Sequence, residues 1–143
     1  MKTTVVAAAI LERDGRFLVT RRQAGTHLAG TWEFPGGKCE DGETLTECLA
    51  RELQEELGMS AHVGTEVFTT EHEYPERRVR LHFFRCESAD EPTAVLGQQM
   101  QWVAREDLSA LEFPPADQAL IEQLMRRTSR TECPASGGPR QSG

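Results

Sequence analysis

The sequence predicts a single mixed α/β (α+β) domain, and three observations support this prediction. Residues 36–59 combine a glycine turn, an acidic loop and an amphipathic helix. Residues 3–11 are an apolar stretch of strand length, and residues 77–87 alternate as a strand does, with Val79, Leu81 and Phe83 on one face and Arg78, Arg80 and His82 on the other. A last amphipathic helix is predicted to start at residues 113–117, because proline suits the first turn of a helix. A chain of 143 residues is the length of one domain and can bury a substantial core.

The central helix is predicted from the local chemistry at both of its ends. Thr44, with Glu47 three residues later, has the form of a capping box at a helix start. Gly58 suits the end of the helix because glycine tolerates the left-handed conformation. Between these ends an apolar stripe recurs every four residues, formed by Leu45, Leu49, Leu53 and Leu57. We therefore expect one face of this helix to be buried.

Three carboxylates, those of Glu52, Glu55 and Glu56, share a different face of the same helix. They repel one another unless a cation lies among them, and hard oxygen ligands favour Mg²⁺, with Mn²⁺ able to substitute. The alternative is a solvated acidic face, but Arg51 is the one basic residue that interrupts it. The preceding Gly36 lets a backbone group approach a metal or a phosphate closely.

The rest of the chain alternates between strands and turns. A hairpin is predicted for residues 3–11 and 16–20 around Asp14-Gly15, and a second pair of strands for 61–71 and 77–87. The remaining predicted elements are a short strand at 31–34, a strand at 100–104, a helical turn at 105–110 and a last helix that starts at 113–117. The Ser-, Gly- and Pro-rich residues 128–143 predict a disordered tail after a domain spanning 1–127.

Composition narrows the classes of partner. The net charge is −7, which argues against a nucleic-acid polymer because phosphate backbones require a basic surface. Residues 38–58 carry seven acidic and two basic side chains, and so contribute −5 of that charge. No stretch is long and apolar enough for a membrane span. The four cysteines (Cys39, Cys48, Cys86 and Cys133) lack CxxC spacing, so we expect neither a zinc site nor a disulfide framework, and a reducing cytoplasm as location.

A family resemblance rests on the same central stretch. Gly37, five residues, Glu43, seven residues and then RELQEELGM at 51–59 fill every defining position of the Nudix box. The resemblance extends over about residues 3–126 and is greatest to the MutT-like nucleoside triphosphate pyrophosphohydrolases. It implies the Nudix fold, a mixed β-sheet sandwiched between helices. It also implies hydrolysis of a nucleoside triphosphate to a nucleoside monophosphate and pyrophosphate.

The resemblance also implies roles for the box residues. Glu55, Glu56 and the backbone carbonyl of Gly36 are expected to bind the metal. Glu52 is expected to be the general base or a further ligand. Glu43 and Arg51 are expected to form an ion pair that fixes the loop against the helix and orients Glu52, which makes all three catalytic candidates.

Substrate contacts are expected from five residues outside the box. Arg22 matches an arginine that reaches substrate phosphate in MutT-like enzymes, and His27 and Arg77 are weaker candidates. Phe34 is expected to line the base pocket, with a place in the core as the alternative. Asp117 is expected to read the base edge, to cap the last helix, or both. Where the family carries a glutamate before a tryptophan, this chain has Gln101, which offers a carbonyl oxygen but no charge.

The favoured function is hydrolysis of 8-oxo-dGTP, which cleanses the nucleotide pool and avoids mutation. A CTP or 5-substituted dCTP pyrophosphohydrolase is the alternative, because a carboxylate at Asp117 suits the cytosine amine as well as the guanine edge. A non-catalytic Nudix-like nucleotide-binding module and an ADP-ribose hydrolase are less favoured, the former because every box carboxylate is present. The chain is expected to act as a monomer or homodimer.

Overall fold

A computed structural model describes residues 2–26 and 28–126. The described chain forms a mixed β-sheet with one α-helix against each face. Its elements in order are β1 (Thr3–Arg13), β2 (Arg16–Arg21), β3 (Trp32–Glu33), β4 (Gly36–Lys38), α1 (Leu45–Leu57), β5 (His62–Tyr74), β6 (Arg77–Glu87), β7 (Met100–Ala104) and α2 (Gln118–Arg126). Two 3₁₀ helices, Arg105–Ala110 and Pro115–Asp117, lie between β7 and α2. The predicted fold class is confirmed.

Strand β1 lies at the centre and connects two parts of the sheet. It runs parallel to β6, which in turn pairs with β5 in antiparallel fashion. Its far end continues into β2 through a two-residue turn at Asp14 and Gly15, both with positive φ, as Asp-Gly predicts. Strand β2 then pairs with β3 and β7. The short strand β4 lies antiparallel to the middle of β1, which places its glycines beside α1.

Helix α1 forms as its sequence predicts. Thr44 and Glu47 exchange both hydrogen bonds of a capping box, and Gly58 ends the helix in the left-handed conformation. Its apolar stripe packs on one face of the sheet in a cluster that includes Leu49, Leu53, Leu57, Ala7, Ala9 and Leu18. The cluster on the opposite face includes Phe17, Phe83, Val103, Leu120 and Leu124, and it buries α2. Burial of its apolar stripe against the sheet fixes α1 and its carboxylates relative to β1 and β4.

Two expectations differ from the structure. Residues 36–38, expected as a turn, form β4, because their pairing with β1 is long-range and two glycines give no side-chain periodicity. The expectation of no disulfide is wrong. Cys39 and Cys48 are disulfide-bonded with a Cα–Cα distance of 5.1 Å, because the loop folds back and brings the end of β4 to α1. Sequence spacing alone gives no sign of this proximity.

Some predictions lie outside the part of the chain that the structure covers. These are the disordered tail at 128–143 and the substrate role of His27. Neither helix of the described residues is both long and apolar enough to cross a bilayer.

Candidate active site

A cavity of about 420 Å³ connects the box helix to the start of α2. Glu52 and Glu56 of α1 line one part of it, and Asp117 and Tyr74 line another. Its apolar wall comes from β1, β6 and the segment before β4, with Val6, Ala8, Phe34, Leu81 and Phe83 among its residues. A mostly apolar cavity with a few charged groups, of this volume, is typical of a small-molecule site.

The two glycines of β4 permit two different close approaches. A Cβ at Gly36 would lie 2.0 Å from the backbone oxygen of Ala7, so no other residue fits beside β1 there. A Cβ at Gly37 would lie 2.4 Å from the carboxylate carbon of Glu52. Gly36 therefore allows β4 to pair with β1, and Gly37 leaves room for the Glu52 carboxylate. The predicted approach of this turn to a metal or a phosphate stays a prediction, and the groups that approach its glycines in the structure are the β1 backbone and the Glu52 carboxylate.

Arg51 ties the acidic loop to the helix. Its Nε and Nη2 donate to the two carboxylate oxygens of Glu43 at 2.6 and 2.9 Å, which is the two-point geometry that only a guanidinium offers. Its Nη1 donates to Glu52 at 3.0 Å and to Glu55 at 3.1 Å. Hydrogen bonds from Arg51, and then from the backbone of Glu40, lower the pKa of Glu43 to about 2. The predicted pairing of Glu43 with Arg51 is confirmed.

Glu52 and Glu56 form the inner pair of carboxylates. They are hydrogen-bonded to one another, and burial, followed by the charge of Glu52, raises the pKa of Glu56 to about 8. Burial and the neighbouring charge of Glu52 therefore favour the protonated form of Glu56. The carbonyl of Glu56 accepts from Nε2 of Gln98 at 3.0 Å, which anchors this end of α1. Gln98 has no counterpart among the sequence predictions.

The carboxylate pair has the chemistry that a hard divalent cation requires, since carboxylate oxygens are preferred ligands of such an ion and its charge offsets their repulsion. Glu55 differs from this pair, because its side chain is 58% exposed and forms a salt bridge with Arg51. Across the described residues, no three His, Cys, Asp or Glu side chains converge into a ready metal group. The predicted ligand set of Gly36, Glu52, Glu55 and Glu56 therefore remains a prediction, and of its three carboxylates those of Glu52 and Glu56 line the cavity.

Arg22 lies at the end of β2 and lines the same cavity. Its Nη1 donates to Glu33 at 2.8 Å. Burial raises the pKa of Glu33, and Arg22 opposes that change. The negative charge of Glu33 also raises the pKa of both Glu56 and Asp117. Glu33 therefore influences both ends of the cavity electrostatically. The sequence analysis did not single out Glu33. The feature that could have indicated it is an acidic residue in a short strand directly before the glycine turn.

Asp117 is 97% buried, since only 3% of its surface is exposed, and it lies in the 3₁₀ helix before α2. Burial, and then the negative charge of Glu33, raise the pKa of its carboxyl to about 7. Tyr74 is close enough for its own pKa to be raised by burial and by Asp117. Tyr74, at the end of β5, is a second cavity residue that the sequence did not single out. Arg77, the first residue of β6, lines the cavity, and its contact with substrate stays a prediction.

Phe34 lies both in the core and at the cavity wall. It is 3% exposed, stacks on Phe113 with ring centroids 5.5 Å apart, and meets Phe83 edge-on at 6.1 Å. It also belongs to the cavity wall. The ring is therefore core on one side and surface of the cavity on the other. A role in base binding stays a prediction.

Other candidates lie away from the cavity. Arg78 and Arg80 point to the opposite face of β6 from Val79 and Leu81, and pair with glutamates of β5 at 2.6 and 2.8 Å. The alternation of β6 predicted that division. Gln101 is exposed on β7 and is not among the residues that line the cavity.

Comparison with known proteins shows to which family this chain belongs. The sequence profile of the NUDIX domain family matches residues 6–123. The chain belongs to the NUDIX domain family. An 8-oxo-dGTP diphosphatase of Escherichia coli K12 is 38% identical over 88% of this chain and 99% of that protein. A CTP pyrophosphohydrolase of the same strain is 41% identical, over 87% of this chain and 93% of that protein.

The structural comparison agrees with the NUDIX assignment. The solution structure of the E. coli ORF135 protein superposes with a TM-score of 0.80 at 37% identity, over 93% of this chain and 96% of that one. The predicted family and its α-β-α fold are thus confirmed. The NUDIX profile spans both the box helix and Asp117, so both ends of the cavity belong to the shared domain.

Proposed function

We propose that this NUDIX protein hydrolyses a nucleoside triphosphate to the monophosphate and pyrophosphate, with 8-oxo-dGTP as its preferred substrate. The observation that carries the proposal is one cavity with paired carboxylates, Glu52 and Glu56, in one part and a buried carboxyl, Asp117, in another. The first part suits phosphate chemistry through a divalent cation, and the second suits recognition of a base. Similarity to diphosphatases and a pyrophosphohydrolase of nucleotides supports the same reaction.

The metal of this proposal is Mg²⁺, with Mn²⁺ able to replace it, held by Glu52, Glu55, Glu56 and the carbonyl of Gly36. When bound, it supplies positive charge against the phosphates and so favours attack on the phosphoanhydride. Arg22, the residue after β2, adds a positive charge to the cavity lining, where it also pairs with Glu33. Lys38 and Arg77 also line the cavity, which limits the repulsion of a polyanion by this acidic protein.

Glu52 is the residue that orients or deprotonates the attacking water. Its carboxylate is fixed by three neighbours. It packs against Gly37, accepts a hydrogen bond from Nη1 of Arg51 at 3.0 Å, and is hydrogen-bonded to Glu56. Such fixation suits a general base, whose geometry must be correct before its pKa matters. It suits a metal ligand equally, and the two roles require an experiment to separate them.

The experiment measures turnover and metal affinity in the same variant, Glu52→Gln. We expect kcat to fall by roughly 10³-fold, in line with the loss of general-base catalysis, with the melting temperature retained. Mn²⁺ affinity, measured by electron paramagnetic resonance, is retained if Glu52 is the base and weakened if it is a ligand. A near wild-type kcat would remove Glu52 from the reaction in either role.

The base preference rests on Asp117. An ionised carboxylate accepts hydrogen bonds from N1–H and N2–H₂ of a guanine ring. It also accepts from the amine of cytosine, so a CTP or 5-substituted dCTP pyrophosphohydrolase is the second candidate, favoured by the 41% identical relative. A steady-state panel of 8-oxo-dGTP, dGTP, CTP, 5-methyl-dCTP and ADP-ribose, compared by kcat/KM, decides between them. Absence of Mg²⁺-dependent turnover with every compound would favour a binding module instead.

A further inference from the structure

We propose that Cys39 and Cys48 are a reversible dithiol–disulfide pair that controls how firmly Glu52 is held against Gly37. The two residues are separated by nine positions, with Cα atoms 5.1 Å apart, inside the range of about 4.4–6.8 Å that a disulfide allows. Cys39 directly follows β4, and Cys48 lies in the first turns of α1. The bond therefore joins the strand and the helix that form the catalytic contact.

The position of each cysteine relative to that contact is specific. Cys48 precedes Glu52 by four residues, so their side chains leave the same face of α1, one turn apart. Cys39 follows Gly37 by two residues, and its amide donates to the carbonyl of Val5 at 2.9 Å, which continues the pairing with β1. A covalent bond between these points fixes the distance between β4 and the helical turn ahead of Glu52.

A second, non-covalent tie holds the same loop. Glu43 lies between the two cysteines in sequence and receives two hydrogen bonds from Arg51, while Nη2 of Arg51 also donates to the carbonyl of Lys38 at 3.2 Å. When the disulfide is formed, both the covalent bond and the hydrogen bonds from Arg51 hold the loop. With the disulfide reduced, the Arg51 clamp alone holds it, so reduction weakens the alignment of Glu52 without abolishing it.

The different exposure of the two cysteines determines which of them is oxidised first. Cys39 is half-buried and accessible to small molecules, whereas Cys48 is fully buried. A hydroperoxide oxidises the Cys39 thiol to a sulfenic acid and leaves as an alcohol, or as water where the oxidant is hydrogen peroxide. The Cys48 thiol then attacks that sulfur, the S–S bond forms and water is released. A dithiol reductant reverses the step by exchange and becomes a disulfide itself.

Cys86 provides an internal control. It is buried among the apolar residues of the α1 cluster, and burial raises the pKa of its thiol to about 12. It is the free cysteine of the described residues. The Cys86 thiol stays protonated, and Cys86 is unpaired where Cys39 and Cys48 are joined, so it should not form a disulfide under conditions that oxidise the pair.

The test uses the full chain with Cys133→Ser, which leaves three cysteines. The protein is reduced with dithiothreitol, or oxidised with hydrogen peroxide, and each form is mapped by differential alkylation and mass spectrometry. We expect Cys39 and Cys48 to be joined after oxidation and Cys86 to remain alkylatable once unfolded. Closure of this short loop should raise the melting temperature by roughly 5 °C or more relative to the reduced form.

Activity is the second measurement. We expect kcat of the oxidised form to exceed that of the reduced form by about fivefold, because small misplacement of a catalytic group is costly. In Glu43→Gln, where the clamp is weakened, the ratio should be larger. Cys39→Ser should have the kcat of the reduced form and lose the response to oxidant, and Cys86→Ala should keep the response.

Two results would overturn the proposal: no Cys39–Cys48 bond after oxidation, or a bond that changes neither the melting temperature nor kcat. The activity measurement rests on the proposed function, but mapping and melting do not. A protein that forms the bond, gains thermal stability and hydrolyses no nucleotide would therefore contradict the proposed function and the control of catalysis, while the redox pair itself would stand.

Discussion

The carboxylate of Glu52 occupies the space in which a side chain at Gly37 would begin, since a Cβ there would lie 2.4 Å from its Cδ and Oε1. One residue of the box thus limits what another can be. The neighbouring Gly36 is constrained by different atoms, the backbone of Ala7 and Ala8. The two glycines therefore have separable roles, one in making room for the Glu52 carboxylate and one in the pairing of the sheet.

Replacement of Gly37 by alanine should cost activity more than stability. The added methyl displaces the Glu52 carboxylate, the end of a side chain, so the fold can adjust while the catalytic geometry cannot. We expect kcat to fall by roughly 10²-fold with a melting temperature within a few degrees of wild type. Gly15→Ala is the control: at φ +77° with open space around it, it should lose about 1 kcal/mol of stability and keep its kcat.

Gly36→Ala should behave in the opposite way to Gly37→Ala. Its Cβ would lie 2.0 Å from a backbone oxygen of β1, and backbone cannot move aside without breaking the pairing of β4. We expect a large loss of stability, visible in urea denaturation as a lower midpoint. If Gly36→Ala unfolded at the wild-type midpoint, the close packing of β4 on β1 would be wrong.

The Arg51–Glu43 pair predicts a specific acid sensitivity. The pKa of Glu43 is about 2 in the folded chain, below its ordinary 4.5, so the stability from this pair is fully present above pH 4.5 and is lost as pH falls towards 2. Glu43→Gln should flatten the melting temperature against pH within that window. Glu40→Gln, at an exposed residue 3.9 Å from Arg51, should leave the slope as it is. Equal slopes in wild type and Glu43→Gln would contradict the assignment.

The adjacent arginines at the end of β2, Arg21 and Arg22, should separate substrate binding from structure. Arg22 lines the cavity and bonds Glu33, whereas Arg21 bonds the carbonyl of Gly30 at 2.9 Å and Oε1 of Gln99 at 2.9 Å. We expect Arg22→Ala to raise KM for the triphosphate by about tenfold or more, through loss of a charge that faces the phosphates. Arg21→Ala should leave KM within about twofold and lower the melting temperature slightly. The reverse pattern would transfer the phosphate role to Arg21.

Much of this molecule could be predicted from sequence because its signals are local. The capping box at Thr44, the stop at Gly58, the Asp14-Gly15 turn and the alternation of β6 each depend on residues near one another in the chain. The structure confirms all four. The pairing of Glu43 with Arg51 was also accessible, because the family pattern names both residues.

What the sequence could not give depends on long-range proximity. The Cys39–Cys48 bond, the pairing of β4 with β1 and the place of Gln98 at the end of α1 all join segments whose spacing carries no periodic signal. Glu33 and Tyr74 gain their significance from a cavity assembled by several strands. Composition cannot show that a given acidic or aromatic residue faces that cavity.

Asp117 predicts a pH dependence opposite in sign to that of Glu43. Its folded pKa of about 7 lies above its ordinary 3.8, so ionisation of this carboxyl opposes folding. Stability associated with the neutral form is present below about pH 3.8 and is lost as pH rises through 7. Asp117→Asn should remove that loss, so its melting temperature should exceed wild type by more at pH 8 than at pH 5.

The same titration should govern recognition of the base. Only the ionised carboxylate accepts hydrogen bonds from both N1–H and N2–H₂ of a guanine ring, so kcat/KM for 8-oxo-dGTP should fall as pH drops below 7. Arg22, Glu33 and Tyr74 face Asp117, and Glu33→Gln removes a negative charge that raises its pKa. That variant should shift the fall to lower pH, whereas Asp117→Asn should lose it and alter the base preference. An unchanged preference and pH profile in Asp117→Asn would restrict Asp117 to a structural role at the start of α2.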